Sequence, residues 1–292
     1  MILRPRPDGR LLGWAPAKVN LFLEVLGKRE DGYHELETLM VAVSLFDTLV
    51  FQEDESGVIE FRCDDAALPQ GPTNLVVRSA LLVREETGSR RRGVSIWLRK
   101  RIPVAAGLGG GSSDAAATLA ALNELWQLGL PLPELAGLGA QIGSDVPFFF
   151  HTPMAVGRGR GERLTPLTLT QPLHLVLVCP SQGVSTTEVF SRLSPVAERQ
   201  SIDGMLSVLS QGSSDRIGQF LFNRLESTAC QLCPEIREVQ EAVRGTGLAG
   251  PLMTGSGSAS FGLAASRSAA IQAARTLRER FPGRVYVVRS TA

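Results

Sequence analysis

Residues 103–117 read PVAAGLGGGSSDAAA, with four glycines among the five positions from Gly107 to Gly111. Glycine loses more backbone freedom on folding than any other residue, so such a cluster marks a path that a Cβ would obstruct. An alternating stretch, VSIWLRK (94–100), feeds the run, and the helix-forming DAAATLAALNELWQL leaves it. Between a strand and a helix, the loop can turn its N–H groups inward around an anion. The helix start adds unpaired donors and the positive end of its dipole. Ser112 and Ser113 can cap that helix and can offer hydroxyls to a phosphate or a metal ion. A plain turn needs one or two glycines, so the chemistry indicated is a phosphate cradle. Neither common glycine fingerprint fits. A Walker loop needs Gly-Lys-Ser/Thr, and no lysine follows Arg101; GLGGGSS does not form G-x-G-x-x-G. What remains is a nucleoside triphosphate held by backbone and serine hydroxyls.

Two charged residues stand in apolar surroundings. Lys18 lies in AKVNLFLEVL, and Asp145 lies between Ser144 and VPFFF. An isolated charge in such a setting is expensive, so each calls for an opposite partner. An ammonium beside a carboxylate keeps the latter ionised and able to take a proton from an alcohol. Asn20, two residues after Lys18, shares its strand face. Farther on, Tyr33 and His34 follow a tight Asp31-Gly32 turn. An exposed aromatic ring next to an imidazole can stack on a planar base and hydrogen-bond its edge; the alternative is a tyrosine that only staples the turn.

The elements that must position these residues follow from the pattern. AKVNLFLEVL (17–26) reads as a strand, and LETLMVAVSLFDTLVFQE as strand material in two pieces. TNLVVRSALLVREE has helical spacing after a Thr73 cap, and LPELAGLGAQI is a shorter helix. Beyond about residue 163 the pattern restarts: strand at 173–180, helix in EVFSRL after Thr187, helix and loop over 198–214, helix in CPEIREVQEAVRG, strands at PLMT and SASFGLA, helix in SAAIQAARTLRERF and a last strand at RVYVVRS. The class is α+β in two domains, 1–163 and 164–292.

The 292 residues carry a net charge of +1, so no global field draws the chain to nucleic acid or an acidic membrane. The one basic run, Arg90-Arg91-Arg92, lacks interleaved aromatics and reads as a solvated turn. Cys230 and Cys233 have C-x-x-C spacing without a second pair or a nearby histidine; with Cys63 and Cys179 they read as reduced thiols rather than a metal site. The N-terminus MILRPRPDGR fits no signal peptide, and no stretch approaches the roughly 18 apolar residues of a membrane span. The expected location is the cytoplasm.

Three segments together resemble the GHMP kinases, small-molecule kinases named for galactose, homoserine, mevalonate and phosphomevalonate. APAKVNLFLEVLGKREDGYHELETL (15–39) looks like the first family motif, PVAAGLGGGSSDAAA like the second, and MTGSGSASFG (253–262) like the glycine-rich third. The combination PAKVNLFL…REDGYHEL…GSDVPFF is similar to the branch that acts on a cytidine-diphosphate-linked methylerythritol. Galactose and mevalonate kinases have other first motifs and no DGYH segment. The resemblance implies a two-domain fold, a ribosomal-protein-S5-like N-terminal half and a ferredoxin-like C-terminal half. It also implies transfer of the γ-phosphoryl group of ATP to the 2-hydroxyl of the methylerythritol, with magnesium accompanying the nucleotide.

By the same resemblance, Asp145 is the catalytic base and Lys18 its partner. ATP would lie on Pro103, Val104, Ala105, Ala106, Gly107, Leu108, Gly109, Gly110, Gly111, Ser112 and Ser113, with Lys100 either near the nucleotide or a solvated strand end beside Arg99 and Arg101, and Asn74 either meeting the adenosine or capping its helix. Asp114 sits near the phosphates and can act through magnesium. Tyr33 and Phe190 would sandwich the cytosine, His34 would read its edge, and Asn20 and Thr186 would touch the same ligand. Asn223 and Glu226 are expected to be structural. The chain is expected to be a monomer or homodimer without nucleic-acid or membrane partners. Two alternatives stay open: a kinase of the same family for homoserine or a mevalonate, and a non-catalytic nucleotide-sensing paralogue.

Overall fold

The computed structural model describes residues 1–89, 91–151, 153–193, 198–209 and 212–291, so Arg90 of the basic run lies outside the described residues. Packing divides the chain into two compact units, each discontinuous in sequence. One comprises Met1–Ala17, Leu45–Ile102 and Gly109–Thr152; the other comprises Lys18–Ser44, Pro103–Leu108 and Pro153–Ala292.

In the first unit, β1 (Ile2–Pro5) pairs antiparallel with the start of β2 (Leu11–Lys28). The end of β3 (His34–Asp54) pairs antiparallel with β5 (Gly93–Arg99), from Thr48 opposite Arg99 to Asp54 opposite Gly93. β4 (Ile59–Cys63) runs parallel to β5, and α1 (Leu75–Glu86) is the crossover that a parallel pair requires. α1 packs on α2 (Gly110–Leu125), and α2 packs on α3 (Leu132–Ile142) and on the short 3-10 helix Pro147–Phe150. Ala115, Ala116, Ala117 and Ala121 of α2 are buried, so small side chains let its neighbours approach closely.

In the second unit, the start of β3 pairs antiparallel with β6 (Met154–Gly159), which pairs with β7 (Arg163–Leu167). A separate antiparallel sheet contains β8 (His174–Val178), β10 (Ala249–Met253), β11 (Ser260–Ala264) and β12 (Val285–Arg289) in the order β12-β8-β11-β10. That order, 4-1-3-2 in chain sequence, is the ferredoxin-like arrangement expected for the C-terminal half. Between β8 and β10 come α4 (Thr186–Ser191), α5 (Asp203–Leu209), α6 (Ser214–Gly218), the two-residue β9 (Phe222–Asn223), α7 (Glu226–Leu232) and α8 (Glu235–Arg244). α8 and α9 (Arg267–Arg280) close a core over the sheet, in which Val239, Val243, Ala270, Ala274 and Leu277 meet Val176 and Val178.

Several elements differ from the sequence reading. β3 is one continuous strand; the two pieces reflect a change of partner, with Leu36–Val41 on β6 and Thr48–Asp54 on β5. The cap of α1 is Asn74, not Thr73, because the Asn74 side chain accepts the Val76 N–H at 2.9 Å. α4 begins at Thr186, capped by Ser185. α2 begins at Gly110, inside the glycine run: its N-cap is Gly109 in the left-handed region (φ 69°), with no side-chain cap. Ser112 and Ser113 are therefore helix residues rather than caps.

Candidate active site

In the second unit the site is organised along one edge of β2. The Lys18 N–H donates to Leu108 O at 2.9 Å, so the end of the Pro103–Leu108 loop occupies a ladder position. Two residues on, the Asn20 N–H donates to the hydroxyl of Thr254 at 2.9 Å. Phe22 and Leu23 then pair in parallel with β9, and Arg224 N–H closes on Leu23 O at 2.8 Å. A strand edge that leaves backbone donors unpaired is costly when buried, and here loop, hydroxyl and short strand satisfy it in turn.

Lys18 is 4% exposed and Asn20 is 2% exposed. Lys18 Nζ donates to Asn20 Oδ1 at 2.7 Å, and Asn20 Nδ2 donates to Thr38 Oγ1 at 2.8 Å. The third glycine segment lies beside them. A Cβ on Gly255 would come within 3.3 Å of Lys18 Nζ and 2.9 Å of Gly107 O. Reciprocally, a Cβ on Gly107 would fall 2.1 Å from Thr254 O, and Gly107 has φ +74°. Ala259 N–H donates to Ala106 O at 3.1 Å, so the two glycine loops interlock. Asn223 Nδ2 donates to Met253 O and to Gly255 O, each at 2.8 Å, and a Glu226 carboxylate oxygen accepts the Met253 N–H at 2.8 Å. The structural role expected of this pair is to hold the third glycine segment.

The turn before β3 is closed by Arg29 N–H to Tyr33 O at 2.8 Å and by Tyr33 N–H to Asp31 Oδ1 at 3.1 Å. It leaves Tyr33 52% exposed, with the Arg160 guanidinium 4.7 Å from the ring centroid. His34 and Phe190 bring their rings to 4.9 Å at 31°. Burial, followed by the nearby Lys28 charge, lowers the His34 pKa, which keeps the imidazole neutral with one donor and one acceptor nitrogen. Thr186, at the start of α4, shares a 2.7 Å hydrogen bond with Ser256 of the third glycine segment.

In the first unit the candidate residues gather at the start of α2. The oxygens Ser113 Oγ and Asp114 Oδ1 are buried there without hydrogen-bond partners among the described residues. Lys100 Nζ lies 2.5 Å from Asp47 Oδ2 and 2.9 Å from Asp114 Oδ2. Asp47 Oδ1 also accepts the N–H groups of Arg101 at 2.5 Å and Ile102 at 2.9 Å, which pins the chain just before the glycine run. Lys100 is therefore neither a solvated strand end nor free to reach a ligand without leaving two carboxylates. Burial raises the Asp114 pKa to about 7, assisted by Asp47 and opposed by the Lys100 charge. Asn74 has both polar atoms engaged, Oδ1 by Val76 N–H and Nδ2 by Pro69 O, so the capping role is the one its geometry supports. Asp145 is half-buried in the turn between α3 and Pro147–Phe150. Ser112 Oγ would lie 3.9 Å from a Cβ on Gly143, so this turn lies close to the first turn of α2.

Comparison with known proteins places the chain in a family. The family model "GHMP kinases N terminal domain" matches residues 74–152, and "GHMP kinases C terminal" matches residues 205–283. A 4-diphosphocytidyl-2-C-methyl-D-erythritol kinase of Pelotomaculum thermopropionicum is 46% identical over 266 residues, covering 90% of this chain and 92% of its own. This chain belongs to the GHMP kinase family. The crystal structure of a 4-(cytidine 5'-diphospho)-2C-methyl-D-erythritol kinase matches it with a TM-score of 0.81 at 41% identity, covering 96% of this chain and all of the other (100%). A homoserine kinase from Cytophaga hutchinsonii has a TM-score of 0.79 over 100% of this chain and 98% of its own, but at 20% identity it shares only the fold.

Several residues that hold these side chains in place escaped the sequence reading. Thr38, Asp47 and Thr254 are short polar residues in strands or at a strand end, and each has a buried role. The only hint in sequence is a polar residue among apolar ones, as at Asp47 in SLFDTLVF.

Proposed function

We propose that this kinase transfers the γ-phosphoryl group of ATP to the 2-hydroxyl of 4-diphosphocytidyl-2-C-methyl-D-erythritol, releasing ADP. The observation that carries the substrate class is the His34–Phe190 ring pair next to the exposed Tyr33. A flat, hydrogen-bonding nucleobase suits that surface, whereas homoserine or mevalonate has no ring to place there. The curated relatives support the same reading by their names.

In this mechanism the phosphates lie on the N–H groups of the α2 start and on the glycine run from Pro103 to Ser113. Asp145 takes the proton from the 2-hydroxyl as its oxygen bonds to the γ-phosphorus and the bond to the β–γ bridging oxygen breaks; the bridging electrons leave with ADP. Lys18 supplies the positive charge that favours ionised Asp145 and orients the hydroxyl. Tyr33, His34 and Phe190 bind the cytosine, with Thr186 and the remaining amide hydrogen of Asn20 toward the rest of the substrate. The unpartnered oxygens of Ser113 and Asp114 are hard donors of the kind magnesium takes. Ser113 and Asp114 would hold it together with the nucleotide's phosphates and water. When bound, magnesium screens the charge on the β- and γ-phosphates. No helix among the described residues is long and apolar enough to cross a membrane, and we place the reaction in the cytoplasm.

Phosphate transfer from labelled ATP to three acceptors tests this: the diphosphocytidyl substrate, homoserine and mevalonate. Turnover with the first alone, inhibited by cytidine nucleotides, is the expected result. Preference for either of the others would overturn the assignment.

A further inference from the structure

We infer that Thr254 is a positioning residue for phosphoryl transfer, acting on Lys18 through the side-chain amide of Asn20. The inference rests on the reading of Lys18 as a member of the catalytic pair.

Donor and acceptor arithmetic fixes how the amide faces. The Thr38 hydroxyl donates its one hydrogen to Phe22 O at 2.7 Å, so toward Asn20 it can only accept. Asn20 must therefore turn its Nδ2 to Thr38, at 2.8 Å, and its Oδ1 to the ammonium of Lys18, at 2.7 Å. The reverse orientation would set an amide NH2 against an ammonium. Thr254 holds the other end. Its hydroxyl accepts the Asn20 backbone N–H at 2.9 Å and donates to Asn20 Oδ1 at 3.3 Å, so it grips main chain and side chain together.

Thr254 is itself immobilised. It is fully buried, its N–H donates to Ala259 O at 2.9 Å, and its carbonyl accepts the Gly257 N–H at 3.0 Å. Gly107 presses on the same carbonyl, so the residue joins the loop before α2 to the lysine strand. A buried hydroxyl with two bonds to one asparagine is more than packing requires. Its geometry holds an acceptor oxygen under the Lys18 ammonium.

Steady-state kinetics on the full-length enzyme test this with T254V, which keeps the shape and removes the hydroxyl, and T254S, which restores it. The expected result is a fall in kcat of about tenfold or more for T254V, with both KM values within about twofold and T254S within about threefold of wild type. Wild-type kcat in T254V, alongside inactive K18M, would overturn this inference alone; wild-type kcat in K18M would overturn the reading of Lys18 as well. If T254S loses as much kcat as T254V, the role is packing and the inference fails. Should T254V not fold, T38V replaces it: a kcat loss of about threefold rescued by T38S supports the inference, and an unchanged kcat overturns it.

Discussion

On one side of Leu108 the glycine run is pressed into protein; on the other it opens a helix. Gly107 lies against the Thr254 carbonyl so closely that a Cβ would sit 2.1 Å from it, in a backbone region that favours glycine. Gly109 caps α2 from the left-handed region, and Gly111 is exposed, with only Leu75 Cδ1 among the described residues within 4 Å (at 3.4 Å) of an added Cβ. Gly110 falls between these cases, tight against Ile102 and Lys100. One run thus holds glycines under different constraints: Gly107 lets two loops interlock, whereas Gly109 turns the chain into α2 and Gly111 leaves its first turn bare. The same residue type answers two different physical demands within five positions.

Substitutions can break that contrast. Gly107→Ala must move backbone, so its expected cost is about 3 kcal/mol or more of stability, with loss of turnover. Thermal melts and an activity assay check it, and a wild-type melting point would show the loops do not interlock. Asp145→Ala should reduce kcat by roughly 10²–10⁴-fold while ATP binding stays near normal, the range for a lost general base. Calorimetry with ATP beside a stopped assay reads both quantities, and near-normal turnover would remove Asp145 from its role.

Asp114 sharpens the helix-start side. Its carboxyl holds a proton up to about pH 7 in the folded chain, whereas unfolded it ionises near its ordinary value of 3.8. Folding therefore takes up a proton between those values; this stabilisation is intact below about pH 4 and is lost as pH rises toward 7. Asp114→Asn should flatten that fall in melts at pH 5 and pH 8, and an unchanged slope would contradict the assigned burial. The smallest effect belongs to Gly111→Ala. Replacing a helix glycine should stabilise by about 0.5–1 kcal/mol, yet raise KM for ATP if phosphates pack on this turn. A stabilised variant with unchanged KM would mean that the bareness of Gly111 serves no ligand.

What the sequence made legible was residue type at short spacing, which marks candidates rather than their partners. Lys18, Asp145, the glycine run and the Asp31-Gly32 turn all announce themselves within a few positions. Thr254 and Asn20 are 234 residues apart, and Lys100 and Asp47 are 53 apart; only topology brings each pair together. The Lys100 environment shows the loss most clearly. Flanked by Arg99 and Arg101, it looks solvated, but the buried acidic side chains of Asp47 and Asp114 hold it. Helix starts shifted for a local reason: Gly109 can adopt the left-handed conformation, so α2 begins before the serines that looked like its caps.

The most direct test is a crystal structure with a non-hydrolysable ATP analogue. Phosphate oxygens are expected within hydrogen-bond reach of the N–H groups of Gly110 to Ser112, since the Ser113 N–H already donates to Gly109 O at 2.9 Å. A nucleotide bound elsewhere, with that first helical turn bare, would contradict it.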